Sequence, residues 1–414
     1  MEEKILEALE RNTKWWKGDF EVEFKPRDLY LQIKKFMHTR QIIAITGLRR
    51  VGKTTIMFKL VKDTLQELNK ENIVYFSFDE FRNIDLKLVL RAYARLMSKN
   101  LLLNKYLFLL DEVQKLENWE EQLKVMYDSY PNIKFVISGS ESLFIRKKSR
   151  ESLAGRMYEF HIKPLSFREF LLFKNKKFDN LQLYKEEILR EFKGYIACSG
   201  FPEIVNEGKE IVNKYIQENV IEKIIYKDIP QIFPVKEPAI LEQAFKIILL
   251  DPGEIIIIEE LARDLGVSRQ TLSAYLDYLE KAYLIKKIYN FSKNVRKTQK
   301  RAKKYYPTII LPLLAEKSDF FGKVFETFLV MQLEAEYFWR DGNVEVDIIK
   351  ITDESLLPIE IKVSKVELKG LKSFMKKFNI NKGLIITYEK KTKIDLSDNV
   401  VEVIPFYEYL LKQD

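Results

Sequence analysis

The chain has 414 residues, 46% hydrophobic and 32% charged, with a formal net charge of +9. That length holds about two to four domains with cores of their own, and the composition argues against large-scale disorder. One cysteine, Cys198, excludes an internal disulfide framework and fits a cytoplasmic setting, while two distant histidines, His38 and His161, argue against a Cys/His zinc site. The mild basic excess permits a polyanionic partner without demanding one, and no apolar run approaches a membrane span, so no membrane partner is expected.

MEEKILEALERN at the N-terminus reads as a charged helix rather than a secretory leader. Five apolar runs follow, at 42–46, 73–78, 106–110, 133–138 and 157–162, separated by amphipathic stretches. This is the pattern of a βαβ-type parallel sheet. Residues 166–245 are rich in helical spacing, broken at Ser199-Gly200-Phe201-Pro202. Helix-turn-helix spacing occupies 246–292, a basic segment runs from Lys293 to Lys304, and mixed strands and helices close the chain. The expected divisions are 1–165, 166–245, 246–305 and 306–414.

Gly47-Leu48-Arg49-Arg50-Val51-Gly52-Lys53-Thr54 matches GxxxxGK[ST] between an apolar strand, IIAIT, and an amphipathic helix, TTIMFKLVKDTLQEL, that opens with Thr54 and Thr55. The glycines let the backbone curl so that N–H groups face phosphate oxygens, and the helix N-terminus adds partial positive charge. Lys53 is expected to reach the β- and γ-phosphates of ATP and Thr54 to ligate Mg²⁺. YLFLL followed by Asp111-Glu112 is an apolar strand ending in two acids. Asp111 would hold the ion through its water shell, and Glu112 would orient or deprotonate the attacking water. Asp79-Glu80, at the end of the second run, has no assigned role.

The order of these motifs resembles the AAA+ ATPases: a Walker A loop, a DE-type Walker B strand, an SGS strand end, and Gly155-Arg156 before the last strand. More closely, it looks like a prokaryotic family whose ATPase is followed by a winged helix and a nuclease-like domain. Trp15-Trp16 and IKPLSFREF at 162–170 share in that likeness. The resemblance implies a γ-phosphate sensor at Ser138, with Ser140 close behind, although both could equally cap a helix. It also implies an arginine finger at Arg156 acting across a homo-oligomer interface, the alternative being an ordinary salt bridge. Pro202 would face the adenine from a helical lid, as in STAND-type relatives, unless it merely breaks a helix.

In 254–288, Gly266 supplies a turn and Ser268 caps a second helix carrying Leu272, Leu276 and Leu279 at helical spacing. This is a winged-helix pattern. Arg269, Gln270 and Ser273 near that helix's start would read DNA, although Asp277 and Glu280 oppose phosphate and such modules also bind proteins. The segment from Lys293 to Lys304 holds seven cations and no acid; Lys297, Lys300, Arg301 and Lys304 are its candidate phosphate contacts.

Glu326 lies in an expected helix, 322–338. Asp347 lies in strand VEVDIIK, and Glu360 and Lys362 share a face of strand PIEIKVS. Two carboxylates to gather Mg²⁺ beside a water-orienting lysine resemble the PD-(D/E)xK core of restriction-endonuclease-like domains. The whole reads as an α/β chain: an AAA+ P-loop sheet with helical lid, a winged helix, and a restriction-endonuclease-like domain. Its expected work is ATP hydrolysis coupled to DNA. The runner-up is a STAND-like nucleotide switch whose C-terminal half binds proteins.

Overall fold

The computed structural model describes residues 2–81, 84–139, 152–312, 318–352, 355–396 and 399–412. It divides into two compact units, Met1–Pro164 and Leu165–Asp414.

The first unit is built on β1 (Ile42–Gly47), β2 (Ile73–Ser77), β3 (Tyr106–Asp111), β4 (Ile133–Gly139) and β5 (Met157–Ile162). All pairings are parallel, in the order β2-β3-β4-β1-β5. β1 and β3 are buried along their whole length, as strands covered on both faces must be, which explains their unbroken apolar runs. Helices α1 (Glu2–Asn12), α2 (Asp28–Lys35), α3 (Lys53–Thr64), α4 (Leu86–Leu96) and α5 (Trp119–Ser129) complete the unit. The N-terminal segment guards the β2 edge: the Trp15 and Trp16 indoles both donate to the Ile73 carbonyl, at 3.0 and 2.9 Å. An edge strand left bare would invite pairing with another chain.

The second unit opens with α6 (Phe167–Phe173), started by a capping box in which Ser166 and Glu169 exchange hydrogen bonds, and α7 (Lys185–Cys198). These helices, expected in a lid, share an aromatic core with the C-terminal part. Phe192 lies 4.8 Å from Phe328 and 4.4 Å from Phe406 between ring centroids, and Phe167 also packs on both. Next come α8 (Pro238–Leu250), β6 (Glu254–Ile255), α9 (Ile258–Asp264), α10 (Arg269–Lys281), β7 (Ile285–Asn290), α11 (Val295–Lys300) and β8 (Lys303–Pro307). Gly266 takes φ +66°, and the Ser268 hydroxyl accepts from the Thr271 N–H at 3.1 Å, so the expected turn and cap are both present.

After α12 (Phe321–Gln332), the chain forms β9 (Tyr337–Asp341), β10 (Val344–Val346), β11 (Ile348–Ile351) and β12 (Leu356–Lys362). It continues through α13 (Lys369–Phe378), β13 (Lys382–Thr387), β14 (Thr392–Leu396), β15 (Asn399–Pro405) and α14 (Phe406–Leu411). One sheet runs β10-β9-β7-β8-β6 and the other β11-β12-β13-β15-β14. The first joins strands from both sides of the expected 305/306 division. The helix expected over 322–338 ends instead at Gln332: Glu334 turns to φ +54° and Tyr337-Phe338 enter a strand, where Phe338 is fully buried. VEVDIIK is likewise two strands, which separate at Asp347 into different sheets.

Candidate nucleotide-binding site and acidic cluster

β1 delivers the loop at its C-terminal end, where parallel α/β sheets place ligand sites. Gly47 has φ +149°, and a Cβ there would stand 2.3 Å from the Ile162 carbonyl oxygen, so the close approach of β5 demands glycine. Arg50 and Gly52 take φ +66° and +98°, a run of turns that lets successive N–H groups converge on an anion. Leu48 and Val51 are buried and pin the loop from below, Arg49 is half-buried, and Thr55 is exposed on the first turn of α3.

Lys53 folds back over this loop, its ammonium donating to the carbonyls of Gly47 at 3.1 Å and Leu48 at 2.9 Å. The Thr54 hydroxyl donates to Asp111 Oδ2 at 2.9 Å, bringing the two motifs together. Asp111 also accepts from the Tyr75 hydroxyl at 2.7 Å, the Ser138 hydroxyl, and the Glu112 N–H at 3.1 Å. Ser138 is thus bonded to the Walker B carboxylate; Ser140 lies outside the described residues. Burial pushes the Glu112 carboxyl up; Lys53 opposes this and Asp111 reinforces it. A hydroxyl and a carboxylate are hard oxygen donors, the set magnesium takes beside phosphate, so these residues fit Mg²⁺ with a nucleotide.

Two residues at this site have no sequence motif. Tyr75 is an apolar-run residue whose hydroxyl ends at Asp111. Arg27, 6% exposed, bridges the Val51 carbonyl at 3.1 Å and the Lys163 carbonyl at 2.7 Å, tying the loop to the end of β5. Arg156 stands elsewhere. It precedes β5, at the strand ends opposite the loop, and pairs with Asp128 at 3.0 and 3.2 Å. Within one chain it is the ordinary ion pair. Pro202 belongs to the second unit, where it opens a short 3-10 turn beside buried Phe201.

In the second unit, Asp347, Glu360 and Lys362 do meet. Lys362 Nζ lies 3.6 Å from Asp347 Oδ2 and 3.4 Å from Glu360 Oε2, and the Ile361 N–H donates to Asp347 at 2.7 Å. Burial and the neighbouring Asp347 push Glu360 up. Burial would raise Asp347 too, but Lys362 and a hydrogen bond from Glu360 hold it low. Glu326 is raised by burial and by Asp347, and accepts from the Tyr306 hydroxyl at 2.6 Å. Among the described residues, no three His, Cys, Asp or Glu side chains are disposed to hold a metal ion.

Lys304 corrects the expected phosphate-contact set. Only 8% exposed, it is ion-paired with Glu345 and lies 3.6 Å from Glu326, so its charge is neutralised inside the protein. Arg301 is half-buried and donates to the Phe291 carbonyl at 3.0 Å, while Lys297 and Lys300 remain exposed, as do Lys293 and Arg296. Gln270 is exposed on α10, and Arg269 beside it pairs with Glu259 at 2.7 Å.

The strand order, the loop and the Thr54–Asp111 contact define the first unit as a P-loop α/β domain. Residues 39–171 match the family model described as an AAA domain. Two models of domains of unknown function, DUF8612 and DUF4143, match residues 189–308 and 321–409. The chain is similar to two uncharacterized proteins of Methanocaldococcus jannaschii. One is 27% identical, over 99% of this chain and 95% of that protein, and the other 29% identical, over 91% and 86%. Among solved structures, it is similar to the Walker-type ATPase of Pyrococcus abyssi, with a TM-score of 0.42 and 13% identity over 70% of this chain and 97% of that one. Among the described residues, no helix is long and apolar enough to cross a membrane.

Proposed function

We propose that this protein binds ATP with Mg²⁺ at Gly47–Thr54 and hydrolyses it, and that its second unit uses that cycle to act on DNA. The observation that carries the ATPase reading is the 2.9 Å contact between Thr54 and Asp111, which joins the two halves of the site. Bound Mg-ATP supplies the phosphoanhydride and the charge of the ion. The chain's residues do the rest. Lys53 exchanges the carbonyls of Gly47 and Leu48 for phosphate oxygens, and the loop N–H groups hold the phosphate chain. Thr54 and Asp111 would hold the ion, whose charge would offset that of the phosphates. Glu112 accepts a proton from the attacking water. Titration calorimetry tests the binding step: Lys53→Ala and Thr54→Ala should each lower ATP affinity by at least about tenfold, the scale of one interaction near 1.4 kcal/mol, and unchanged affinity in both contradicts it.

For the second unit, the α9–turn–α10 pair followed by the β7–β8 hairpin supports a winged helix. Exposed Gln270, Lys293, Arg296, Lys297 and Lys300 supply its phosphate-facing polarity. The Asp347–Glu360–Lys362 cluster supports a nuclease-like fold, in which cleavage would need a divalent ion held by the two carboxylates. The runner-up is a nucleotide-controlled assembly switch that binds protein. The pairing of Arg269 with Glu259 and the burial of Lys304 favour it, because both withdraw charge from DNA. Stimulation of ATP turnover by DNA, abolished at high salt, selects the first; nucleotide-dependent assembly indifferent to DNA selects the second.

A further inference from the structure

Lys304 and Tyr306 stand two apart on β8, so strand alternation sends both side chains to one face. That face meets α12: the Tyr306 hydroxyl donates to Glu326 Oε1 at 2.6 Å, and Lys304 Nζ lies 3.6 Å from the same oxygen. Lys304 also pairs with Glu345 on β10. On β12, Lys362 lies 3.6 Å from Asp347 and 3.4 Å from Glu360. Lys304 interacts with the charge of Asp347, and Lys362 with that of Glu326, so one cluster holds both lysines. A lysine beside the acids on its own strand belongs to the nuclease-like pattern. A second one, 8% exposed and delivered by the strand between β7 and β6, does not. The carboxyl oxygens are enclosed as well as paired. A Cβ on Gly253 would stand 3.2 Å from Glu326 Oε1, and one on Gly370 2.9 Å from Glu360 Oε1, so backbone closes on both. Asp347 Oδ2 is taken by the Ile361 N–H at 2.7 Å. A magnesium ion asks for about six oxygens at roughly 2.1 Å in near-octahedral array. Among the described residues, no three His, Cys, Asp or Glu side chains are disposed to hold a metal ion, and this cluster does not fit one.

We propose that Lys304 occupies the cation position of this cluster, so that the second unit takes no divalent ion there and binds DNA without cutting it. This rests on the nuclease-like reading of the fold and departs from it in chemistry. An ammonium supplies positive charge, but it has no open coordination position and generates no hydroxide from a bound water, the two things a cleaving metal ion contributes. An ion that entered would have to expel Lys304, and a buried ammonium parted from its carboxylates is strongly disfavoured. The same contacts give the cluster another use. Lys304 ties β8, which follows the helix-turn-helix, to α12 and β10, so the ion network fastens the winged-helix segment to the nuclease-like one.

The test counts Mn²⁺ bound to the full-length, nucleotide-free protein from the electron paramagnetic resonance signal of the free ion. Wild type and Asp347→Asn should bind the same amount, because no ion depends on Asp347. Lys304→Gln and Lys304→Met should each gain one Mn²⁺ per chain, bound at least about tenfold more tightly than any ion Asp347 holds in wild type, since a unit charge roughly 4 Å away is gone. Adding Asp347→Asn to either variant should remove that ion. A wild type that loses an ion on Asp347→Asn overturns the proposal and leaves the nuclease-like reading standing. So does a wild type that cuts duplex DNA with Mn²⁺ in a manner lost in Glu360→Ala. Lys304 variants that keep the wild-type circular dichroism spectrum and gain no ion overturn both. Should the variants fail to fold, the comparison of wild type with Asp347→Asn still decides.

Discussion

At the scale of single residues, the nucleotide site depends on groups whose partners change when ligand arrives. Lys53 has two carbonyls to give up and Thr54 one carboxylate, so both are primed rather than locked. Glu112→Gln keeps these contacts and removes only the base. It should bind ATP as wild type does and turn over at least about 10²-fold more slowly, measured by phosphate release. Because burial raises the Glu112 carboxyl, the acid limb of wild-type kcat should sit above the usual carboxylate range: activity appears as rising pH removes that proton, and a limb near the ordinary glutamate value of about 4.3 contradicts the assignment. Lys304 makes a contrasting case. Lys304→Met removes a buried cation from beside the part-exposed Glu345 and Glu326 and should cost about 1–2 kcal/mol of stability by denaturant titration, less than a fully buried pair because both carboxylates reach solvent. Its DNA affinity, at a concentration where the fold persists, should be unchanged; a flattened salt dependence would return Lys304 to the surface.

At the scale of elements, much was legible because the signals are local. The five apolar runs are the five strands: β1 and β3, covered on both faces, need no polar alternation, whereas the edge strand β5 carries Glu159 and His161 and is at least partly exposed over most of its length. Gly266 and Ser268 mark a turn and a cap because few other residues satisfy a positive φ or an orphan N–H there. Other features were not legible. The end of α12 at Gln332 carries no glycine or proline, and Glu334 takes the left-handed turn that an asparagine or glycine would have announced. The switch of sheets at Asp347 depends on which strands lie alongside, which sequence spacing does not record. Arg27 and Tyr75 reach the site through tertiary contact alone. A charge run gives no hint of which members fold inward, and the exposed quartet Lys293, Arg296, Lys297 and Lys300 defines the element to test. Neutralising all four should weaken DNA binding at every sequence and reduce the slope of log affinity against log salt by about 0.9 for each phosphate the segment no longer neutralises. An unchanged slope makes the segment a solvated turn.

At the scale of the whole molecule, the described chain gathers into two compact units. The second is unified by a sheet spanning 254–346 and by an aromatic core drawn from α6, α7, α12 and α14, so truncation at 305 should leave an unfolded remnant. Arg156 raises the question of assembly. At the far strand ends from its own loop, it can serve a nucleotide only in a neighbouring copy, exchanging Asp128 for phosphate. Mixing Arg156→Ala with Lys53→Ala protein should then recover part of the activity each lacks; full activity of Arg156→Ala alone returns it to an ion pair. The central claim, that the joined loop and acid strand hydrolyse ATP, has a more direct test. Steady-state phosphate release at saturating Mg-ATP should be present in wild type and absent in Lys53→Ala purified alongside it. Equal release from the two proteins, or none from wild type, would contradict the account.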